Sequence, residues 1–255
     1  MRYERRFHHL YLSQKDINWA ERVEKMRQDF VANVSHELRT PLTVILGFLE
    51  AMLDQDAPEL ASWKGILQQV YQQSQRMQSI VDDLLLLSRL ETTPLEEAKY
   101  SPVDIPDMLE RICKDALALS GARAHKIHLS CDENVKLNGI DSEIRSAFSN
   151  LVYNAVHYTP DHGDIWLKWG SKDDGQAYFS VKDTGIGIAA EHIPRVTERF
   201  YRVDTARSRE RGGTGLGLAI VKHVLMRHHA HLEINSIAGK GSEFICVFSP
   251  TMSQR

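Results

Sequence analysis

Between about residues 20 and 93, apolar side chains recur every three or four positions. Val23, Met26, Phe30, Val34, Leu38, Leu42, Ile45, Leu49 and Met52 make one stripe. Trp63, Ile66, Val70, Met77, Val81, Leu84 and Leu87 make a second, after a polar gap at 54–59. The period predicts two long amphipathic helices closed by a short loop into an antiparallel hairpin. One hairpin alone leaves its apolar stripe in water. Two copies packed as a four-helix bundle would cover it, and so would the rest of the same chain. Residues 1–20 hold Phe7, Leu10, Leu12 and Ile17 among charges, without a clear helical period.

Thr92-Thr-Pro-Leu-Glu-Glu97 reads as a linker, and beyond it the pattern alternates. Helices are predicted at 104–120, 141–158 and 215–228, the second capped by Asp141. Strands are predicted at 126–131, 164–169 and 176–182. The last two are joined through Ser171-Lys-Asp-Asp-Gly175, and a closing hairpin is expected around 238–241. Paired strands with helices grouped beside them give an α+β class, one sheet covered on one face. The expected organisation is a leader at 1–20, a helical-hairpin domain at 21–97 and an α/β domain at 98–255.

Composition removes several possibilities. Apolar residues make up 42% and charged residues 25%, with a net charge of −3. No global field therefore invites nucleic acid or an anionic membrane. Cys113, Cys131 and Cys246 are too few and too scattered for a disulfide framework or a CxxC metal site, and they fit a reducing compartment. No run approaches 18 apolar residues, so no membrane-spanning segment is expected in this chain. The opening Met1-Arg-Tyr-Glu-Arg-Arg6 lacks the apolar stretch of a signal peptide.

His36-Glu37-Leu38-Arg39-Thr40 invites a zinc-protease reading, but that chemistry needs a second His at position 40, where Thr stands. What remains is a histidine off the apolar stripe, on a helix that Pro41 should kink one turn later. On 141–158, Asn150, Asn154, His157 and Tyr158 share a face at i, i+4, i+7, i+8 spacing. Clustered amides can hold an oxygen-rich ligand or a hard cation such as Mg²⁺; a solvated polar face has the same pattern. Asp183-Thr-Gly185-Ile-Gly187 follows a strand. A carboxylate there can accept from an exocyclic amine, and the glycines permit close backbone approach, as they would in an ordinary turn.

Gly212-Gly213-Thr-Gly215-Leu216-Gly217 precedes a helix whose N-terminal amides can hold phosphate. It is not the dinucleotide fingerprint, because Leu218 stands at the last glycine position, nor a P-loop, because no GKS or GKT occurs. Between 195 and 211 lie six arginines (195, 199, 202, 207, 209, 211) against three acids. Such a loop suits a polyanion, or is simply solvated. His223, His228, His229 and His231 offer no fixed ligand geometry and are not read as a metal site.

Together these pieces resemble the two-component sensor histidine kinases. Phe30-Val-Ala-Asn-Val-Ser-His36-Glu-Leu-Arg-Thr-Pro-Leu-Thr43 looks like that family's phospho-acceptor box. The asparagine run from Asn150, Asp183-Thr-Gly-Ile-Gly187, Arg199-Phe-Tyr-Arg-Val-Asp204 and Gly213-Thr-Gly-Leu-Gly-Leu218 look like its nucleotide boxes, in the expected order. The stretches 150–156, 197–204 and 217–223 are similar to the phosphate-regulon branch, which implies phosphate-starvation signalling.

The resemblance implies a dimeric helical-hairpin domain, forming a four-helix bundle, followed by an ATP-binding α/β sandwich of the gyrase, Hsp90 and MutL type. It implies autophosphorylation of His36 by ATP, with Glu37 orienting the imidazole and relaying its proton, and transfer to an Asp of a response regulator. Asn154 would hold Mg²⁺ on the triphosphate, near Asn150, His157 and Tyr158. Asp183 would read the adenine amine, and Gly185 and Gly187 would line the base pocket. Arg202, Gly213, Gly215, Leu216 and Gly217 would belong to the lid and phosphate site. His157 departs from the Lys that the family often carries there, which removes a permanent charge. Thr40 lies one turn past His36 on the same face, so its hydroxyl can aim the water that hydrolyses a regulator's aspartyl phosphate. Asp16-Ile-Asn18 resembles the end of a sensory PAS domain, which implies the cytoplasmic part of an inner-membrane receptor.

Overall fold

The computed structural model describes residues 39, 42–43, 45–50, 52, 63–92, 100–203, 214–250 and 253–254. His36, Glu37, Thr40, Gly213, the leader at 1–20 and the gap at 54–59 lie outside these residues. The described residues from 39 to 52 are helical, and a 29-residue helix, α1, spans Lys64–Thr92. The two segments meet as an amphipathic hairpin should. Leu42, Val81 and Leu85 form a small core, Arg39 forms an ion pair with Asp82, and Tyr71 donates to Glu50 at 2.8 Å.

The second half is a sheet covered by helices. Strand β1 is Ser101–Val103, followed by helix α2, Ile105–Ser120. Asp104 caps α2 by accepting from Asp107 N, and Gly121, at a φ of 50°, ends it. Strands β2 (Lys126–Cys131) and β3 (Lys136–Gly139) precede helix α3, Asp141–Tyr158. Strands β4 (Asp164–Ser171) and β5 (Ala177–Asp183) form a hairpin. Helix α4 is Gly217–Arg227. Strands β6 (Ala230–Ile237) and β7 (Gly241–Phe248) close the main sheet, and β8 is Ser253–Gln254.

The main sheet has the order β2-β4-β5-β7-β6, and a small sheet has the order β1-β3-β8. Only β2 and β4 pair in parallel in the main sheet. A parallel pair needs a long crossover, which β3 and α3 supply. Period-2 alternation sets the faces: Ile165, Leu167 and Trp169 are buried, while Trp166 and Lys168 are exposed. On the covered face, Phe148 of α3 stacks on Phe179 with ring centroids 4.0 Å apart, and Trp169 and Phe248 complete the aromatic cluster. Leu151, Val152, Ala155 and Val156 extend this contact along the helix.

Two features differ from the sequence expectation. Asp141 is not the cap of α3. Ile140 holds the cap position without a side-chain bond, and Asp141 is the first helical residue, paired with Arg145 at 3.3 Å. The Ile140 N–H is taken by Nε2 of His228, and the Glu143 and Ile144 N–H groups by Ile140 O. The short strands β1, β3 and β8 carry no alternation long enough to be read from sequence. The second apolar stripe, left open by the sequence to a partner copy or to its own chain, ends inside the main core: Leu87 and its neighbour Leu90 pack there. Ile45, Phe48, Trp63, Ile66, Val70 and Met77 remain exposed further along the hairpin.

His228 is fully buried, donates from Nδ1 to Val224 O at 2.8 Å and accepts from Ile140 N at 3.0 Å. Burial pushes its pKa below the ordinary 6.5, against smaller upward effects of the Val224 carbonyl and Glu143. The unfolded chain therefore binds this proton more readily. Stability from the neutral ring is complete above about pH 6.5 and is lost as pH falls from there toward the lowered value. Chemical denaturation is expected to show a lower unfolding free energy at pH 5.5 than at 7.5. His228→Ala should destabilise by about 1–3 kcal/mol at neutral pH, because the Ile140 N–H is orphaned, and should flatten the pH slope. A slope unchanged in the variant would contradict the assignment.

Candidate functional site: a cavity between two helices

Helix α3 has two faces. The face opposite the core carries Ser146, Ser149, Asn150, Tyr153, Asn154 and Tyr158, and these wall a cavity of about 310 Å³. The opposite wall is Val196, Tyr201, Arg202 and the segment from Thr214 to Leu218, and Ser79 and Asp83 of α1 close one side. Asn150, Asn154, Tyr158, Arg202, Gly215 and Gly217, all expected from the sequence, thus come together on one cavity.

Each wall is shaped by local chemistry. Asn150 donates from Nδ2 to Ser146 O at 2.9 Å, which fixes its amide. A Cβ on Gly217 would stand 2.4 Å from Asn150 Oδ1, so only glycine lets the start of α4 approach α3. Gly215 adopts a φ of 74°. Phe200 is held at a φ of 61°, unusual for a bulky residue, by donating its N–H to Gly215 O at 2.9 Å. The hydroxyl of Thr214 accepts from Leu216 N at 3.1 Å, closing the turn into α4. Leu216 itself is buried in the core rather than at the cavity wall. The first amides of α4, at Gly217 and Leu218 on the cavity wall, have no intrahelical carbonyl to meet, and a helix N-terminus favours an anion.

The remaining expected residues lie apart from this wall. His157 is half-buried, stacked on Tyr153 with centroids 5.5 Å apart and edge-on to Tyr158 at 5.2 Å. Asp183 is buried at the end of β5, where Oδ1 accepts from Gly185 N at 2.7 Å and from Ser242 N at 3.3 Å. Burial raises its pKa above the usual carboxylate value, and the two backbone donors oppose the rise. Gly187, at a φ of 65°, lies against the β6–β7 hairpin, where a Cβ would stand 2.0 Å from Ile237 O. A Cβ on Gly185 would stand 2.7 Å from Tyr158 O, tying this turn to the end of α3.

Sequence reasoning missed the part played by α1. Asp83 accepts from the Thr214 hydroxyl at 2.9 Å. Glu91 pairs with Arg199 and, at 3.2 Å, with His223. The signal was present as spacing: 79, 83, 87 and 91 follow one another by four and share a helix face. Among the described residues no cluster of His, Cys, Asp and Glu could hold a metal ion, and no helix is long and apolar enough to cross a membrane. The histidines 223, 228 and 231 are spread among separate partners, Glu91, Val224 with Ile140, and Glu233.

Comparison with known proteins decides the family. Residues 26–93 match the "His Kinase A (phospho-acceptor) domain", and residues 139–252 match the "Histidine kinase-, DNA gyrase B-, and HSP90-like ATPase" family. The chain belongs to the sensor histidine kinases. Among relatives of this family, the phosphate regulon sensor protein PhoR of Pseudomonas aeruginosa is 54% identical over 92% of this chain and 53% of its own length. PhoR of Haemophilus influenzae is 39% identical over 93% of this chain and 55% of its own. The chain thus spans about half the length of these sensor kinases. The crystal structure of full-length ShkA in complex with AMPPNP superposes with a TM-score of 0.71 at 27% identity, over 87% of this chain and 45% of that one.

The buried carboxylate separates stability from binding. Because the pKa of Asp183 is raised in the fold, its ionised form costs stability above that pKa, and the cost is relieved as pH falls through it. Asp183→Asn is therefore expected to melt at or above the wild-type temperature at pH 8. Its affinity for AMPPNP should fall about ten- to a hundredfold, the loss of one hydrogen bond to a charged group. Calorimetry giving unchanged affinity would contradict a ligand-reading role.

Proposed function

We propose that this chain is the catalytic part of a membrane-anchored sensor kinase that phosphorylates His36 from ATP, passes the phosphoryl group to an Asp of a response regulator and acts in phosphate-starvation signalling. The single observation that carries the reading is the cavity in which the α3 asparagines meet the glycine-opened start of α4. The AMPPNP bound to the ShkA relative supports a nucleotide there. The proposed organisation is a leader at 1–20, a dimerisation and phospho-acceptor domain at 21–97 and an ATP-binding domain at 98–255. The exposed apolar side chains along the hairpin, Phe48 and Trp63 among them, support a dimer formed as a four-helix bundle.

Phosphoryl transfer asks a protein mainly for positioning and charge neutralisation. The amides opening α4 and the Arg202 side chain, both on the cavity wall, would meet the phosphates. Gly217 fits this role, because any Cβ would fill the space beside Asn150. Asp183 has both N–H partners on Oδ1, which leaves Oδ2 to accept from the adenine amine. The amide oxygen of Asn154 is a hard donor suited to Mg²⁺, which keeps most of its waters and takes few protein ligands. That ion would neutralise phosphate charge. Asn150, His157 and Tyr158 would flank it, and Gly185 and Gly187 would shape the base end. In the acceptor segment, the His36 imidazole nitrogen is the nucleophile and Glu37 orients it and takes its proton. Thr40 would aim water at a regulator's aspartyl phosphate, giving the chain phosphatase activity as well.

The test uses γ-labelled ATP. Wild type should gain an acid-labile, base-stable label, and His36→Gln should fold and bind ATP but take none. Label persisting in that variant at the wild-type rate would sink the acceptor assignment. Thr40→Ala should keep near-normal labelling and slow dephosphorylation of the phospho-regulator about tenfold, if water positioning is the main contribution. Equal losses in both activities would count against the phosphatase role.

A further inference from the structure

Helix α1 reaches into the cavity from outside the sheet-and-helix layer. Its face at 79, 83, 87 and 91 runs along the ATP-binding half. Leu87 is buried in the main core, Glu91 holds Arg199 and His223, and Arg227 reaches Leu90 O. At the cavity, Ser79 and Asp83 share the wall with Asn150, Asn154, Gly215 and Gly217. Oδ2 of Asp83 accepts from Thr214, whose hydroxyl also takes the Leu216 N–H. The carboxylate therefore hangs on the turn that opens α4, at the end of the cavity where a helix N-terminus favours an anion.

Space and charge both matter there. With α1 in place the cavity measures about 310 Å³, at the bottom of the roughly 300–1,000 Å³ of ligand sites. A negative charge already sits at its phosphate end. We propose that Asp83 is a built-in competitor of the nucleotide's phosphates, so that nucleotide binding and the Asp83–Thr214 contact exclude one another. The inference rests on the nucleotide reading given above. Burial raises the Asp83 pKa and Asp82 adds to the rise, against the Thr214 hydroxyl, so this carboxylate is poorly accommodated even before a second anion arrives.

Linkage makes the effect reciprocal: a nucleotide that expels Asp83 loosens the hold of α1 on the ATP-binding half to the same degree. The neighbouring Asp82 is paired with Arg39, three residues from His36. Release at Asp83 thus begins one residue from the clamp on the acceptor segment.

The experiment is calorimetric titration of the full chain with Mg²⁺ and AMPPNP, for wild type, Asp83→Asn, Asp83→Ala and Asp82→Asn. Asp83→Asn keeps the shape and an acceptor for Thr214 but removes the charge, so its affinity should rise about tenfold, and Asp83→Ala should rise at least as far. Asp82→Asn, with the same change in net charge, should stay within twofold of wild type. Hydrogen exchange across 79–92 gives a second readout: nucleotide should raise it in wild type and much less in Asp83→Asn. Unchanged or weaker binding in Asp83→Asn, or equal tightening in Asp82→Asn, overturns the inference and leaves the nucleotide reading standing. Failure of wild type and variants alike to bind at millimolar AMPPNP overturns the nucleotide reading and this inference with it.

Discussion

How helix α3 lies on the sheet decides where every polar group of the site can stand. Phe148 stacks on Phe179 between Trp169 and Phe248, and Leu151, Val152, Ala155 and Val156 continue the contact. With 3.6 residues per turn, burying those positions turns Asn150, Asn154 and Tyr158 to the other side. The core and the site are thus two sides of one helix. A rotation that exposed Val152 or Val156 would also carry the asparagines away from Gly217. Close packing makes such a rotation costly, since emptying one aromatic position in a core costs about 3–5 kcal/mol.

The second requirement is close approach. Gly217 against Asn150, Gly185 against Tyr158 O and Gly187 against Ile237 O are three places where no Cβ fits. They bring α4 onto the middle of α3, the β5–α4 connection onto its C-terminal end, and the β6–β7 hairpin onto that connection. Once these backbones touch, amide donors at the start of α4 and the carboxylate at the end of β5 are held on rigid elements. Against this neutral and donor-rich frame, α1 contributes the opposite chemistry. Its acids, Asp83 and Glu91, pin a hydroxyl, an arginine and a histidine ring of the ATP-binding half. The ATP-binding half is therefore joined to the hairpin by polar contacts at both ends of a short apolar strip, Leu87 and Leu90. Polar contacts of this kind exchange readily with water or a ligand, whereas a wide apolar seam would not.

Much of this was legible in the residues. Strand β4 alternates buried and exposed positions cleanly, and the 3.6 period of 141–158 separates core from asparagines, so both elements and their faces were readable. The nucleotide boxes could be placed because glycines and a strand-end carboxylate have few other uses in that order. Three things were hidden. Strands β1, β3 and β8 are too short for a period, and they exist because the main fold presents them with partners. The start of α3 looked like an Asp cap, but the N–H at Ile140 is met by His228, 88 residues away, a tertiary choice that local propensity does not see. The part of α1 in the cavity was hidden for the same reason. Asp83 sits in a leucine-rich run whose apolar neighbours signal a hairpin, and the face it shares with 79, 87 and 91 does not by itself say that another domain packs there.

The central claim is that the ligand lies along the polar face of α3, between its asparagines and the opening of α4. The most direct test is amide chemical-shift mapping of the isotopically labelled chain as Mg²⁺ and AMPPNP are added. The account predicts that the largest shifts fall in 146–158, 183–187 and 214–220, with the open face of the sheet around Trp166, Lys168 and Tyr178 left nearly unmoved. Shifts concentrated on that open face, with 150–158 and 214–220 unchanged, would contradict it.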